Sequence, residues 1–115
     1  MADMFDNWTV QARKGILELA ILTALADRQR YAYDLVRSLV DIPGLGISEG
    51  TIYPLLSRLR VQGLVEARLE ESTEGPARKY YSLTNQGRKT LEMMKDYLDA
   101  ILNGVQTIRQ GKDKT

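Results

Sequence analysis

The sequence predicts a mainly α-helical (α+β) fold, a winged helix-turn-helix with a long C-terminal dimerisation helix. Three observations predict it. Apolar residues recur at helical spacing before Gly63, alternate singly with polar residues after it, and return at steps of three and four from Leu91 to Ile108. At 115 residues, of which 43% are hydrophobic, the chain can form one core, and a second independent domain is not expected.

The first part of the chain predicts two helices. Segment 10–26 contains no proline and has little polar face in its second half, so we expect a largely buried helix. After the polar break DRQR, apolar residues at helical spacing fill segment 31–40, and the glycines and proline of DIPGLG end it. This segment predicts a second helix of about three turns.

The third helix has the clearest start signal in the sequence. Ser48 can cap its N-terminus, while Ile47 and Ile52 occupy the two positions of a hydrophobic staple. Pro54 should bend or loosen the first turns because it removes a backbone donor, and Gly63 is a natural C-terminal stop. The inward stripe continues past the proline and consists of Ile52, Leu55, Leu56 and Leu59.

The chain after Val65 alternates between apolar and polar residues, which predicts a β-hairpin. Its first arm begins at Val65, its tip is the turn-rich and polar sequence ESTEGP, and its second arm covers 78–83. In a winged helix-turn-helix this hairpin is the wing, whose tip reaches the flanking DNA backbone or minor groove.

The final helix is predicted over 84–110, with Thr84 or Asn85 as its cap, and residues 111–115 are expected to fray. Its apolar residues follow the heptad seam of a coiled coil rather than the broader stripe of a core helix. Residues 1–83 then form a winged-helix DNA-binding domain with an N-terminal arm. Because such a seam needs a partner helix, we expect a homodimer interface formed by Leu91, Met94, Leu98, Ile101, Val105 and Ile108.

The composition excludes most kinds of catalytic chemistry. The chain contains neither cysteine nor histidine, which removes disulfides, the usual zinc site and Ser-His or Cys-His catalysis. No nucleophile is paired with a base, so we expect no enzyme, no catalytic residue, no metal and no cofactor. No apolar run is long enough for a membrane span, and Asp3 and Asp6 stand where a signal sequence would be basic and apolar, which predicts a cytoplasmic protein.

The net charge of +1 means that nucleic-acid binding must rest on a local surface. The outer face of helix three carries small and hydroxyl-bearing residues near its N-terminus, which allow close approach to base edges and phosphates. In the wing, Arg78 and Lys79 are expected to touch phosphate without reading sequence. The candidate DNA-binding residues are Lys14, Tyr33, Ser48, Gly50, Thr51, Tyr53, Pro54, Ser57, Arg58, Arg78 and Lys79.

Each of these features also has a simpler explanation. Every surface helix has a polar side, and a charged hairpin tip serves solubility in many proteins. Acidic residues at 70, 71 and 74 on the first arm count against a wing that lies deep in a groove. Phe5 and Trp8, ahead of the predicted first helix, either pack on a neighbouring subunit or a ligand, or anchor the N-terminal arm.

The residues EGTIYPLLSRLRVQGLV, followed by ARKYYSLTNQGR at the end of the wing, resemble the PadR family of bacterial regulators. The similarity extends from about Lys14 to Ile108 and accounts for Pro54 within the third helix. The single C-terminal helix is similar to that of the short PadR subfamily, in which this helix forms the dimer. The resemblance implies a homodimeric repressor whose recognition helix carries Tyr53 and whose wing carries Arg78 and Lys79.

The resemblance also implies a small-molecule effector, because family members respond to phenolic acids or to planar, hydrophobic compounds. In some short members the pocket lies between the dimerising helices and the first helices. The alternative is that methionines at seam spacing serve packing alone. The matching positions in this chain are Trp8, Ala12, Met93, Met94, Tyr97 and Leu98.

The prediction is therefore a sequence-specific, DNA-binding transcriptional repressor on an inverted repeat of double-stranded DNA, with helix three of each protomer in one of two successive major grooves. The alternative is a winged-helix protein-interaction module that dimerises without binding DNA. Near-neutral charge favours the module slightly, whereas the clustered TIYP and ARK residues favour DNA.

Overall fold

The computed structural model describes residues 3–114. Four helices and a small antiparallel sheet follow one another as predicted, with one additional short strand. In chain order the elements are α1 (Met4–Ala24), β1 (Arg30–Tyr31), α2 (Ala32–Val40), α3 (Glu49–Val61), β2 (Val65–Ser72), β3 (Gly75–Leu83) and α4 (Asn85–Arg109). The winged helix-turn-helix with a long C-terminal helix is confirmed.

Helix α1 begins six residues earlier than the sequence pattern predicted, at Met4 instead of Val10. The reason is Asp3, which occupies the N-cap position and accepts a hydrogen bond of 2.8 Å from the backbone N–H of Asp6. The expectation that Phe5 and Trp8 precede the first helix is therefore wrong, because both lie on its first two turns. Their rings stack with centroids 6.5 Å apart. Residues 1 and 2 of the predicted arm, and Thr115 of the predicted frayed tail, lie outside the described residues.

The sheet has the strand order β1-β3-β2. Strands β2 and β3 form the predicted hairpin, in which Val65 lies opposite Leu83 and Glu70 lies opposite Arg78. Strand β1 was not predicted, because two residues are too few to show an alternating pattern. It adds a third, edge strand by pairing Tyr31 with Tyr80.

The core lies where the three N-terminal helices meet the base of the hairpin. Helix α3 contributes Ile52, Leu56 and Leu59, all completely buried, so its predicted inward stripe is confirmed, with Leu55 half-buried. The other large buried side chains are Ile21, Leu22, Leu25, Leu35, Leu39 and Val65. This anchoring of α3 on one side fixes its outer side toward solvent.

Helix α4 is fixed at its start and leaves the core further along. Thr84 caps it by accepting a hydrogen bond of 3.0 Å from the N–H of Gly87. Gly87 is required there, because a Cβ atom would overlap the carbonyl oxygen of Leu64. The exposed fraction of the seam residues then rises from 4% at Leu91 to 64% at Ile108, so the rest of the chain covers only the first part of α4.

Candidate nucleic-acid interface

The N-terminus of α3 presents small polar groups to solvent. Ser48 is the N-cap residue as predicted, but its side chain makes no capping hydrogen bond to the backbone. Instead, its Oγ lies 3.4 Å from the Oγ1 of Thr51, and its carbonyl accepts hydrogen bonds from the N–H groups of Thr51 and Ile52. Gly50, also exposed, adds no side chain. Both hydroxyl groups therefore face outward beside a backbone that a ligand can approach closely.

Further along α3, the predicted outer residues Tyr53, Pro54 and Ser57 are exposed. Tyr53 is 43% exposed. Burial of part of its ring, followed by the nearby Glu49, Tyr81 and Tyr31, raises the pKa of Tyr53 above its usual 10. The phenol is therefore protonated throughout the physiological range and can donate a hydrogen bond to a phosphate or a base. That ability is lost only as the pH rises through the raised pKa.

One of the predicted DNA-binding side chains is held by another helix. The Nη2 of Arg58 lies 2.7 Å from the Oε1 of Glu18 on α1, in an ion pair that is partly exposed. Lys14, exposed one turn earlier on α1, lies on the same helix face as Glu18 at a spacing of four residues. This ion pair joins α1 to the flank of α3 and leaves Arg58 less free to reorient than the outer residues.

The two wing cations lie on opposite faces of the hairpin, because successive residues of a strand alternate. The guanidinium of Arg78 lies 4.9 Å from the centroid of the Tyr31 ring, whereas the Nζ of Lys79 lies 5.8 Å from the centroid of Tyr81. Both side chains are exposed. Glu70, opposite Arg78 in register, pairs with Arg68 instead. The wing therefore offers two separate positive groups, not one cluster.

The tyrosines at the start of α2 form a row with arginines stacked on it. The ring of Tyr31 lies 6.3 Å from that of Tyr33 and 5.9 Å from that of Tyr80. Arg37 covers the exposed Tyr33, with its guanidinium 5.9 Å from the ring centroid. Arg28 and Arg30, beside this row, were not predicted as functional residues. Their signal was the basic character of DRQR, which the hydrophobic pattern marks only as a break between two helices.

An apolar cleft of about 640 Å³ lies between α1 and α4. The structure brings all six predicted effector residues together there. Trp8 and Tyr97 are exposed at its edge, and Gly15 and Leu19 form part of its α1 wall. The six are Trp8, Ala12, Met93, Met94, Tyr97 and Leu98.

The predicted dimer seam divides into two parts. Leu91 is buried in the core of its own chain, Met94 packs against that core, and Leu98 lines the apolar cleft. The remaining seam residues, Ile101, Val105 and Ile108, are exposed on the distal part of α4. A partner helix would therefore meet a continuous apolar surface mainly beyond Leu98.

Between residues 3 and 114, no group of three or more acidic residues is arranged to hold a metal ion. No helix in that range is both long and apolar enough to cross a membrane.

Residues 21–93 match the model of the transcriptional regulator PadR-like family. Among solved structures, the chain is similar to a PadR-like transcription factor from Bacteroides fragilis, with 39% identity, a TM-score of 0.73, and coverage of 90% of this chain and 99% of that chain. A PadR-like transcriptional regulator from Bacillus cereus strain ATCC 14579 is 37% identical, with a TM-score of 0.77 and coverage of 87% and 97%. A PadR family regulator from Eggerthella lenta DSM 2243 is 31% identical, with a TM-score of 0.77 and 92% coverage of both chains.

Proposed function

Because this chain belongs to the PadR-like family of transcriptional regulators, we propose that it is a sequence-specific DNA-binding repressor that works as a homodimer in the cytoplasm. The observation that carries the proposal is the outer face of α3. Tyr53 and Ser57 are exposed there, on a helix whose opposite side is completely buried. Such a helix can enter a major groove without any change in the core.

In this proposal, residues 1–83 form the DNA-binding domain and residues 84–110 form the dimerisation helix. A two-fold dimer would present two copies of α3, which matches an inverted-repeat operator with half-sites about 10 base pairs apart. Base edges would be read by the outer residues of α3, and the wing cations would fix the register through phosphates.

The wing cations give the first test. We expect Arg78→Ala and Lys79→Ala each to weaken binding to operator and random duplex alike. Each should also make the negative slope of log K against log salt concentration shallower by about 0.9 per lost phosphate contact. Because the two side chains lie on opposite faces of the hairpin, the double variant should lose about twice that slope. The measurement is a fluorescence-anisotropy titration of a labelled duplex at several salt concentrations, with Asn103→Ala on α4 as the control variant.

A changed base preference with an unchanged slope would mean that the wing reads sequence and that its proposed role is wrong. If the wild-type protein fails to bind any duplex even at low salt, the alternative of a protein-interaction module is favoured instead. Non-specific binding to DNA is electrostatic, so a DNA-binding protein must show it under these conditions.

We further propose that a small aromatic or hydrophobic effector occupies the cleft between α1 and α4. The cleft volume of about 640 Å³ falls within the range of about 300–1,000 Å³ that is usual for small-molecule sites. Methionine and tyrosine side chains in its wall suit planar, apolar ligands, because methionine adapts its shape and aromatic rings stack.

The single tryptophan, Trp8, makes ligand entry measurable. We expect p-coumaric acid to quench its fluorescence saturably and to release the protein from duplex DNA. Gly15→Leu should reduce the quenching, because Gly15 lines the cleft and a Cβ atom there meets no other atom within 4 Å. Asn103→Leu, which adds the same side chain outside the cleft, is the matched control. Equal quenching in both variants would remove the cleft as the ligand site.

A further inference from the structure

A small polar notch lies at the base of the wing, where β1 meets the beginning of α2. We name it the arginine notch. Its volume is about 170 Å³, below the roughly 300 Å³ at which pockets for drug-sized ligands begin. The residues that line it are Arg28, Gln29, Arg30, Tyr31, Asp34, Arg78 and Tyr80.

The charges in the arginine notch favour an anion. Three arginines and one aspartate line it, which gives the lining a net charge of +2. Arg30 is already engaged, since it donates to the carbonyl oxygen of Ala24 and lies 3.7 Å from a carboxylate oxygen of Asp27. Arg28 and Arg78 are exposed, and neither forms an ion pair with any residue between 3 and 114. These two guanidinium groups are therefore available to a ligand.

The notch also holds one of its cations in place. Arg78 is stacked over Tyr31, whose ring packs in turn against Tyr80. Stacking restricts the rotamers of the long side chain but leaves the edge of the guanidinium, with its N–H donors, free for an oxyanion.

We propose that the arginine notch binds one phosphate group of the DNA backbone, with Arg28 and Arg78 contacting the same phosphate while α3 lies in the neighbouring major groove. This inference rests on the proposed function. It adds Arg28 to the DNA-binding residues, and it gives Arg78 a partner outside the wing. Planar guanidinium groups bind phosphate oxygens in pairs of hydrogen bonds, and a notch of about 170 Å³ has room for a phosphate group.

The test is a double-variant cycle on a random duplex, with Arg28→Gln, Arg78→Gln and the double variant titrated across a range of salt concentrations. Arg28→Gln should weaken binding severalfold by itself. The double variant should lose about 0.9 of salt slope in total, no more than Arg78→Gln alone, because both arginines serve one phosphate contact, whereas two separate phosphates would cost about 1.8. Arg109→Gln, at the far end of α4, is the matched control. Thermal melting should change little in all three notch variants, since both side chains are exposed and only the stacking of Arg78 on Tyr31 is lost.

Each other outcome overturns a defined statement. An Arg28→Gln variant that binds duplex like the wild type removes the notch from the DNA interface and leaves the proposed function intact. A double variant that loses about two units of slope shows two separate contacts and refutes the shared phosphate. If inorganic phosphate binds the free wild-type protein but not Arg28→Gln, and duplex slopes are equal, the notch takes a free anion instead. A wild-type protein that binds no duplex refutes the proposed function itself.

Discussion

Replacement of Ile101 by glutamate is expected to convert the proposed dimer into a folded monomer. Ile101 is 45% exposed in the single chain and lies on the part of α4 that its own core does not cover. A glutamate there meets water in the monomer but would be buried without a partner in the proposed dimer. An unpaired buried charge costs about 3–5 kcal/mol, and a two-fold interface contains two of them. Because about 1.4 kcal/mol corresponds to a factor of ten in Kd, the Kd of the dimer should rise by more than a thousandfold.

Light scattering after gel filtration measures the mass, and circular dichroism checks that the domain is folded. Asn103→Glu is the matched control, because it places the same charge on the same helix at an exposed position outside the seam. It should leave the dimer unchanged. If Ile101→Glu is still a dimer at micromolar concentration, the seam is not the interface and the proposed role of α4 is wrong.

The second large effect is expected from Tyr53→Ala combined with Ser57→Ala. Both side chains are exposed on the outer face of α3, while Ile52, Leu56 and Leu59 hold its inner face. Stability should therefore change by no more than about 0.5 kcal/mol for each surface substitution. Binding to the operator should fall by about 1–3 kcal/mol for each lost contact to a base edge. Binding to random duplex should weaken only by the loss of any phosphate contact that Tyr53 makes.

Tyr53→Phe separates the hydroxyl from the ring. The raised pKa of Tyr53 means that its hydroxyl is a neutral donor below pH 10. Tyr53→Phe should therefore reproduce part of the alanine effect if the donor matters, and none of it if only the ring packs against DNA. A mobility-shift titration beside a thermal melt distinguishes the two.

The helices that pack on the core were predictable because burial of one face imposes a regular spacing of apolar residues along the sequence. The stripe of α3 and the alternation of β2 and β3 both follow from which residues must face inward. The start of α1 was missed because its first turns are exposed and do not pack on the core, and the capping carboxylate of Asp3 was overlooked as a start signal. Strand β1 was missed because its two residues show no period.

The candidate site was predictable in its residue types but less so in its arrangement. The sequence could nominate Arg78 and Lys79, and strand alternation places them on two faces. The position of Arg78 over the ring of Tyr31, however, depends on the pairing of β1 with β3. Likewise, the basic sequence around Arg28 does not by itself predict a binding site. Only the pairing of Tyr31 with Tyr80 brings it beside Arg78. Contacts between distant segments depend on register, which a linear pattern does not encode.

The most direct test of the central claim is a footprint of the wild-type protein and of the Tyr53→Ala/Ser57→Ala variant on the DNA upstream of its own gene. For the wild-type protein we predict two protected half-sites in an inverted repeat, with centres about 10 base pairs apart in successive major grooves. The folded double variant should lose this protection at the same concentration. Protection by the variant that equals that of the wild type would contradict the proposed role of α3 as the recognition helix. If the wild-type protein protects no sequence there, the prediction of an operator upstream of its own gene is wrong.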